Sequence, residues 1–297
     1  TPSFRGTSSS HTLVLWNGIP LNSITLGMLD FSILPTSGFN EISLVHGGDA
    51  SVFGSGAMGG SIHLKSTNTV TDKNEIKLTN ESGSFGLQTN AISFKHSMVD
   101  FSFSGALSSL TDQNNFEYTN TTQMGHPTVV NKYGVIKSKT GMLDIAYRYD
   151  DSNQFAINYW NTATDREVQK NMTIPFSDAK QYDINKRTLF SSIHNFDGHV
   201  LTLKQAYLQE DFRYTEFAKN IDSKYLAESS ITDADLKLNK GNYLLNIGTS
   251  FANKSVANTN YIQAGKQEKE LALFSALQYR SDFLSVNTVL RKEWQTT

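Results

Sequence analysis

The feature that most constrains this chain is an alternation of apolar and polar residues with period two, which recurs along its last three quarters. In the segment 142–149, which reads MLDIAYRY, Leu143, Ile145 and Tyr147 fall on one side and Asp144 falls on the other. This alternation is typical of a β-strand with one apolar and one polar face. A chain built from such segments must form a sheet whose two faces meet different surroundings.

The alternation predicts eleven strands after residue 74. They cover roughly 74–82, 87–96, 98–108, 140–149, 153–163, 187–196, 199–209, 226–239, 242–253, 269–280 and 283–294. Most are close to the 9–11 residues that a tilted strand needs to cross a bilayer. Short connections alternate with long polar ones, and the long ones are predicted at 109–139, 164–186, 210–225 and 254–268. Outer-membrane barrels show this regularity, with short turns at one rim and long loops at the other.

The two faces of the predicted strands favour a membrane barrel over a soluble β-sandwich or propeller. One face carries almost no charge, as lipid requires, and the other carries Ser, Asn, Asp, Thr and Arg, which suit a wet lumen. The mean hydropathy is −0.37 and no run of 18 apolar residues occurs, so no membrane helix is expected. The sequence has no cysteine and a net charge of −2. It therefore has no disulfides or thiolate metal sites, and no nucleic-acid partner is expected.

The N-terminal part contains a glycine pattern that resembles a nucleotide-binding loop. Gly54, Gly56 and Gly59 spell G-x-G-x-x-G, and Asp72 follows at a suitable distance. A dinucleotide site needs a helix that opens from this loop, whereas the following GSIHLKST reads as a strand. The glycines are therefore predicted to permit turns and close backbone packing.

The N-terminal segment resembles the plug domain of TonB-dependent outer-membrane receptors. The residues that carry the resemblance follow the family's order: Arg5-Gly6, Asn17-Gly18, Pro35, Glu41, His46-Gly47, Phe53-Gly54 and Gly59-Gly60. Asn17, His46 and Phe53 depart from the usual Asp, Arg and Tyr. The segment RGTSSSHTLVLWNGIPLN and the spacing of Gly27 and Asp30 look closest to the cobalamin receptors of that family.

The resemblance implies an all-β fold, a fragment of a large transmembrane antiparallel β-barrel of about 22 strands with part of an N-terminal plug. The plug is expected over 1–69 and the barrel over 74–297. Because the chain begins with Thr1 and no signal peptide, it is expected to be a piece of a longer protein.

The resemblance also implies energy-coupled uptake of a scarce, large nutrient: cobalamin, a siderophore or haem. The expected location is the bacterial outer membrane, in contact with its lipid. The expected partner is the TonB energy-transducing complex, through a motif that this sequence lacks. A passive porin or an adhesin barrel stays open as the alternative, and no catalytic set supports an enzyme.

Two groups of substrate-binding candidates follow. If residues 11–18 rise toward the outside, the next loop forms the plug apex, with Ser8–Ser10 at the opposite end. The apex candidates are Asn22, Ser23, Ile24, Thr25, Leu26 and Gly27. The outer-loop candidates are the aromatic residues Phe116, Tyr118 and Tyr133.

The remaining expectations concern seating of the plug and cofactors. By resemblance, the plug is seated against the barrel by Arg5, Glu41, His46, Gly47, Gly54, Gly59 and Gly60. No cofactor is expected, and the seven histidines show no metal-ligand spacing. The segment TDQNNFEYTN carries oxygen atoms suited to Ca²⁺ but lacks an ordered ligand spacing.

Overall fold

Two sheets from different parts of the chain make up the fold. The computed structural model describes residues 6–35, 37–47, 50–66, 70, 74–174, 176–258 and 265–296. The N-terminal unit is a four-stranded sheet in the order β2-β1-β4-β3. Its elements are β1 (Thr12–Trp16), β2 (Ile19–Pro20), β3 (Glu41–Val45), the four-residue helix α1 (Ala50–Phe53) and β4 (Gly60–Lys65). Strands β1 and β4 are parallel, and the other two pairs are antiparallel.

The rest of the chain forms one antiparallel sheet of eleven strands, called the barrel sheet below. Its strands and a small separate hairpin are β5 (Glu75–Ser82), β6 (Gln88–Ser97), β7 (Phe101–Asp112), the hairpin β8 (Glu117–Thr119) and β9 (Thr128–Val130), β10 (Ile136–Asp150), β11 (Asn153–Glu167), β12 (Lys180–Phe196), β13 (His199–Glu216), β14 (Ile221–Lys240), β15 (Tyr243–Asn258), β16 (Lys266–Arg280) and β17 (Ser285–Thr296). Sheet order follows chain order from β5 to β17, with β8 and β9 left out. The eleven predicted strands are confirmed. No helix in the described ranges has the length and apolar character to cross a membrane.

The alternation along each strand has the predicted structural meaning. Leu143 and Ile157 point outward and are 43% and 49% exposed, whereas Asp144 and Asn158 point inward and are each 2% exposed. Adjacent strands stay in register, since Asp144 lies opposite Asn158 and Ile145 opposite Ile157. The outward face is therefore apolar, and the polar face surrounds the N-terminal unit.

Aromatic side chains gather on the outward face near the short connections. The rings of Phe101 and Tyr147 stack 4.5 Å apart, and those of Tyr243 and Tyr279 lie 4.9 Å apart. Such belts lie at the membrane–water interface of outer-membrane barrels. We call this rim the turn end and the opposite rim the loop end.

All four long connections are shorter than predicted, because the strands that flank them are longer. For example, β11 runs to Glu167 and β12 starts at Lys180. Strands β13 and β14 continue to Glu216 and from Ile221, so the loop expected over 210–225 is a tight turn, Phe217–Lys219. The loop expected over 109–139 contains the hairpin of β8 and β9. Toward the loop end, consecutive residues of a strand are polar on both faces, as Gln209, Glu210 and Asp211 of β13 are, so the alternation that marks a strand is lost there.

The N-terminal unit sits against the inside of the barrel sheet. We call the barrel sheet around this unit the wall. Seven consecutive wall strands each contribute one buried apolar residue to the shared core: Ala106, Met142, Trp160, Leu189, Ala206, Ile231 and Ala252. They pack with Val14, Trp16, Ile19, Leu21, Ile62 and Leu64 of the N-terminal unit. Trp16 and Trp160 meet edge to face, 5.9 Å between ring centroids. This contact fixes the height of the unit within the sheet.

Candidate functional site

The loop after β2, residues 22–27, forms the apex loop and lies at the loop end. Lys204 Nζ donates to the Asn17 carbonyl (2.7 Å), whereas Ser23 Oγ donates to Glu210 Oε1 (3.1 Å). Glu210 is six residues nearer the loop end of β13 than Lys204, roughly 20 Å along a strand. The predicted apex position is therefore supported by the contacts of Ser23.

The predicted direction of β1 is wrong. Asn17 lies nearer the turn end and Ser23 nearer the loop end. Strand β1 therefore runs from the loop end toward the turn end, and the chain reverses at Asn17–Gly18. Ser8–Ser10 therefore lies beside the apex loop, and Ser9 Oγ contacts Met28 Sδ at 3.6 Å. Residues 11–18 were predicted to form one strand rising toward the outside. Gly18, with φ +88°, instead turns the chain back.

Asn22 is a structural residue of the apex loop. Its Oδ1 accepts from Val14 N (2.9 Å), and its Nδ2 donates to the carbonyls of Thr12 and Gly27, both at 3.0 Å. Its side-chain amide thus ties the loop to β1. Ser23 is occupied as well, because its hydroxyl accepts from the backbone N–H groups of Thr25 and Leu26, both at 3.3 Å.

The exposed part of the apex loop is narrower than predicted. Thr25, Leu26 and Gly27 are exposed, whereas Asn22, Ser23 and Ile24 are half-buried. Leu26 is 54% exposed. Thr25, Leu26 and Gly27 are thus the apex residues best placed to meet a ligand from outside.

A second contact, from the segment that follows the apex loop, ties the N-terminal unit to the barrel sheet. Asp30 forms an ion pair with Arg166 of β11, and Arg166 Nη2 also lies 3.6 Å from Asp183 Oδ2 of β12. Burial acts to raise the pKa of Asp30, but hydrogen bonds from Ser32 and Arg166 outweigh it and hold the pKa below its usual value. Asp30 is therefore a carboxylate at neutral pH.

Arg187 is a buried wall cation. Its guanidinium lies 4.1 Å from the centroid of the Trp160 ring, and its Nη1 has no hydrogen-bond partner among the described residues. It lines a cavity of about 710 Å³ between the apex loop and the wall. The cavity's other cations, Lys254 and Arg291, pair with Glu270 and Glu293 at 2.6 Å each.

The predicted outer-loop aromatics form two separate groups. Phe116 packs against Phe85 and Tyr118, with ring centroids 5.9 and 6.2 Å apart. Tyr133 meets Phe176 edge to face at 6.2 Å, and Lys170 Nζ lies 4.9 Å from its ring centroid. All three candidates are half-buried in contacts among the outer loops.

Oxygen atoms of the proposed Ca²⁺ segment serve local turns. Asp112 Oδ1 accepts from Asn114 N (2.9 Å), and Asn120 Oδ1 accepts from Thr122 N (3.0 Å). Within the described residues no three His, Cys, Asp or Glu side chains are grouped to hold a metal ion. The expectation that no cofactor is bound stays a prediction.

The comparison with protein families identifies the N-terminal unit. Residues 1–61 match the family described as TonB-dependent Receptor Plug Domain. The chain carries a TonB-dependent receptor plug. The plug is similar to the vitamin B12 transporters BtuB of Vibrio vulnificus, 46% identical over 61 residues, and of Photobacterium profundum, 45% identical over 60 residues. Each match covers 20% of this chain and 10% of the transporter.

Solved structures share the arrangement of plug and barrel. The FrpB iron transporter from Neisseria meningitidis superimposes with a TM-score of 0.79 at 11% identity, covering 98% of this chain and 51% of that one. The siderophore receptor PirA from Acinetobacter baumannii gives 0.77 at 13% identity, covering 99% and 50%. This chain spans about half the length of these structures. The match of residues 1–61 to this plug family agrees with the predicted location in the bacterial outer membrane.

The predicted seating residues of the plug have different roles. Arg5 lies outside the described residues. Glu41 pairs with Lys65 of the neighbouring plug strand, 3.0 Å apart, rather than with the wall. His46 is exposed, and a Cβ on Gly47 (φ +76°) would have no atom within 4 Å.

Gly54 meets the wall as predicted. A Cβ there would lie 2.6 Å from Glu293 Oε1. A Cβ on Gly59 would instead meet Thr7 Oγ1 inside the plug, and the buried Gly60 begins β4. Since β4 follows the G-x-G-x-x-G pattern directly, no helix opens from it, as predicted.

Several other contacts between the plug and the wall were not predicted from the sequence. Ser66 Oγ donates to Asp144 Oδ1 of the wall (3.3 Å), and Asn158 Nδ2 donates to the same oxygen (2.6 Å). A Cβ on Gly38 would lie 2.5 Å from Met142 Sδ. In the sequence, Asp144 is recognisable only as a polar residue on the inward face of a strand. That pattern does not identify the plug residue it contacts.

Proposed function

We propose that this chain is the plug and part of the barrel of an energy-coupled outer-membrane receptor for a scarce, large nutrient. The observation that carries the proposal is the seated plug, which meets one apolar residue from each of seven consecutive wall strands. A plug held in this way obstructs passive flow along the lumen it occupies. The arrangement supports gated uptake over a passive porin.

A corrinoid such as cobalamin is the substrate class that we propose. The support is the plug's 46% identity over 61 residues to a vitamin B12 transporter. The apex residues Thr25 and Leu26 offer a hydroxyl beside an apolar surface. This mixture suits a large ligand with both polar and hydrocarbon faces. A ferric siderophore or haem is the alternative ligand.

The proposed partner is the TonB complex of the inner membrane. Removing the plug's contacts to the wall requires work, since Ser66, Asp30 and Arg291 each bond across the interface. An external energy source would supply that work. No catalytic role is proposed.

Ligand titration of the purified full-length receptor tests this function. Cyanocobalamin, a ferric siderophore and haemin are each added, and binding is followed by tryptophan fluorescence. We expect saturable binding of cyanocobalamin alone. Binding of only the siderophore or haemin would contradict the corrinoid substrate but leave the proposed uptake receptor standing. Binding of none of the three would contradict both proposals.

A further inference from the structure

Glu210 connects the plug's apex loop to the wall. Its Oε1 accepts hydrogen bonds from the hydroxyl of Ser23 on the plug (3.1 Å) and from the hydroxyl of Tyr225 on the neighbouring strand β14 (2.5 Å). Hydrogen bonds to an ionised acceptor are stronger than neutral ones. The first bond holds the apex loop against β13, and the second joins β13 to β14.

A second partner for Glu210 lies close by and is unused. Arg187 stands on the adjacent strand β12, opposite Leu208, which is two residues from Glu210 on the same face of β13. Both side chains line the same 710 Å³ cavity below the apex loop. Arg187 is 6% exposed and its Nη1 lacks a hydrogen-bond partner among the described residues.

A buried guanidinium with an unsatisfied donor is unfavourable, and an ion pair with Glu210 would relieve it. While Ser23 and Tyr225 hold the carboxylate, that ion pair does not form. The remaining acids of the cavity do not compete for Arg187 in the same way, since Glu268 and Glu270 pair with Lys254, and Glu293 pairs with Arg291.

We propose that Glu210 is a positioning residue for the apex loop, exchanging Ser23 in the docked loop for Arg187 when the loop lifts. Docked and lifted loops then differ by one exchange of partners, so a modest change in the contacts of the apex shifts their populations. The inference concerns the receptor without ligand, and its test uses no nutrient. Its failure would therefore leave the uptake proposal standing.

The lifted fraction is measured by cysteine labelling. Ile24, half-buried beside Ser23, is replaced by Cys in a full-length receptor with no other reactive cysteine, and none is present in this sequence. Intact cells are treated with a membrane-impermeant maleimide, and the labelling rate is compared among variants that reach the outer membrane.

Three variants are expected to change the labelling rate in different ways. Ser23→Ala removes a bond of the docked loop and should raise the rate at least threefold. Arg187→Met removes the partner of the lifted loop and should lower the rate at least threefold. Glu210→Gln removes the charge that attracts Arg187 but also weakens the bonds of the docked loop, so it is used as a background: in it, Arg187→Met should no longer lower the rate.

Glu270→Gln is the matched control, because Glu270 lines the same cavity and bonds to Lys254. It should leave the rate unchanged. If Arg187→Met fails to assemble, Arg187→Gln takes its place in the same comparison. The proposal is overturned if the Arg187 variant does not lower the rate when Glu210 is present, if it lowers the rate equally in the Glu210→Gln background, or if Ser23→Ala does not raise the rate.

Discussion

Ser66, the residue that follows the last plug strand, donates a hydrogen bond to the carboxylate of Asp144 in the barrel wall. Asp144 is 2% exposed and also accepts from Asn158 (2.6 Å). Trp16 Nε1 donates to Ser66 Oγ (3.0 Å), so the network connects the plug core to two wall strands. A buried polar network of this kind stabilises the fold when each of its polar groups has a hydrogen-bond partner.

Asp144→Ala should loosen the plug, because it leaves the donors of Ser66 and Asn158 unsatisfied. Each unsatisfied buried donor costs about 1–3 kcal/mol. The free energy of unfolding of the full-length receptor in detergent, from urea titration, should therefore fall by about 2–6 kcal/mol for the two donors. Asp100→Ala, at an exposed turn, is the control and should have little effect. An equal loss in both variants would contradict a seating role for Asp144.

Gly38→Ala and Gly47→Ala separate a wall contact from backbone strain. Both glycines have positive φ, +95° and +76°, but only at Gly38 would a Cβ meet the wall, 2.5 Å from Met142 Sδ. Both variants carry about 1 kcal/mol of backbone strain, and Gly38→Ala adds the cost of overpacking, typically 1–3 kcal/mol. The same titration should show the larger loss for Gly38→Ala. Equal losses would mean that the wall yields freely at Met142.

The ion pair of Asp30 with Arg166 makes docking of the apex region sensitive to acid. The folded-state pKa of Asp30 lies below its usual value. The pair's contribution is therefore complete above the unfolded pKa and is lost as pH falls through the folded one. Hydrogen exchange of the amides of residues 22–32, corrected for intrinsic rates, should increase below about pH 4. Asp30→Asn should show fast exchange already at pH 6, and an unchanged pH profile in that variant would exclude Asp30 as the cause.

The exposed apex residue Leu26 is expected to contribute to the affinity for the ligand. Leu26→Asp is expected to weaken cyanocobalamin binding at least tenfold, about 1.4 kcal/mol, without loss of assembly. Leu44→Asp, another exposed apolar plug residue but on β3, is the control. Equal affinities in titrations of the two variants would remove Leu26 from the ligand site.

The strands were predictable because their cause is local. Inside the membrane each residue faces either lipid or lumen, so Leu143 and Asp144 reveal their faces by type alone. Above the membrane that contrast disappears, and the extension of β13 to Glu216 was missed. The glycines of the plug marked tight packing, but their partners Glu293 and Met142 lie more than 100 residues away in sequence. Likewise, one turn at Gly18 decides the direction of β1, and hydropathy does not distinguish a turn from a continuing strand.

Energy coupling is the central claim, and one transport measurement tests it most directly. Cells carrying the full-length receptor are given radiolabelled cyanocobalamin with and without a protonophore that collapses the proton gradient. Surface binding should persist in both conditions, whereas uptake should stop when the gradient is lost. Uptake at an undiminished rate without the gradient would contradict the account and indicate a passive pore.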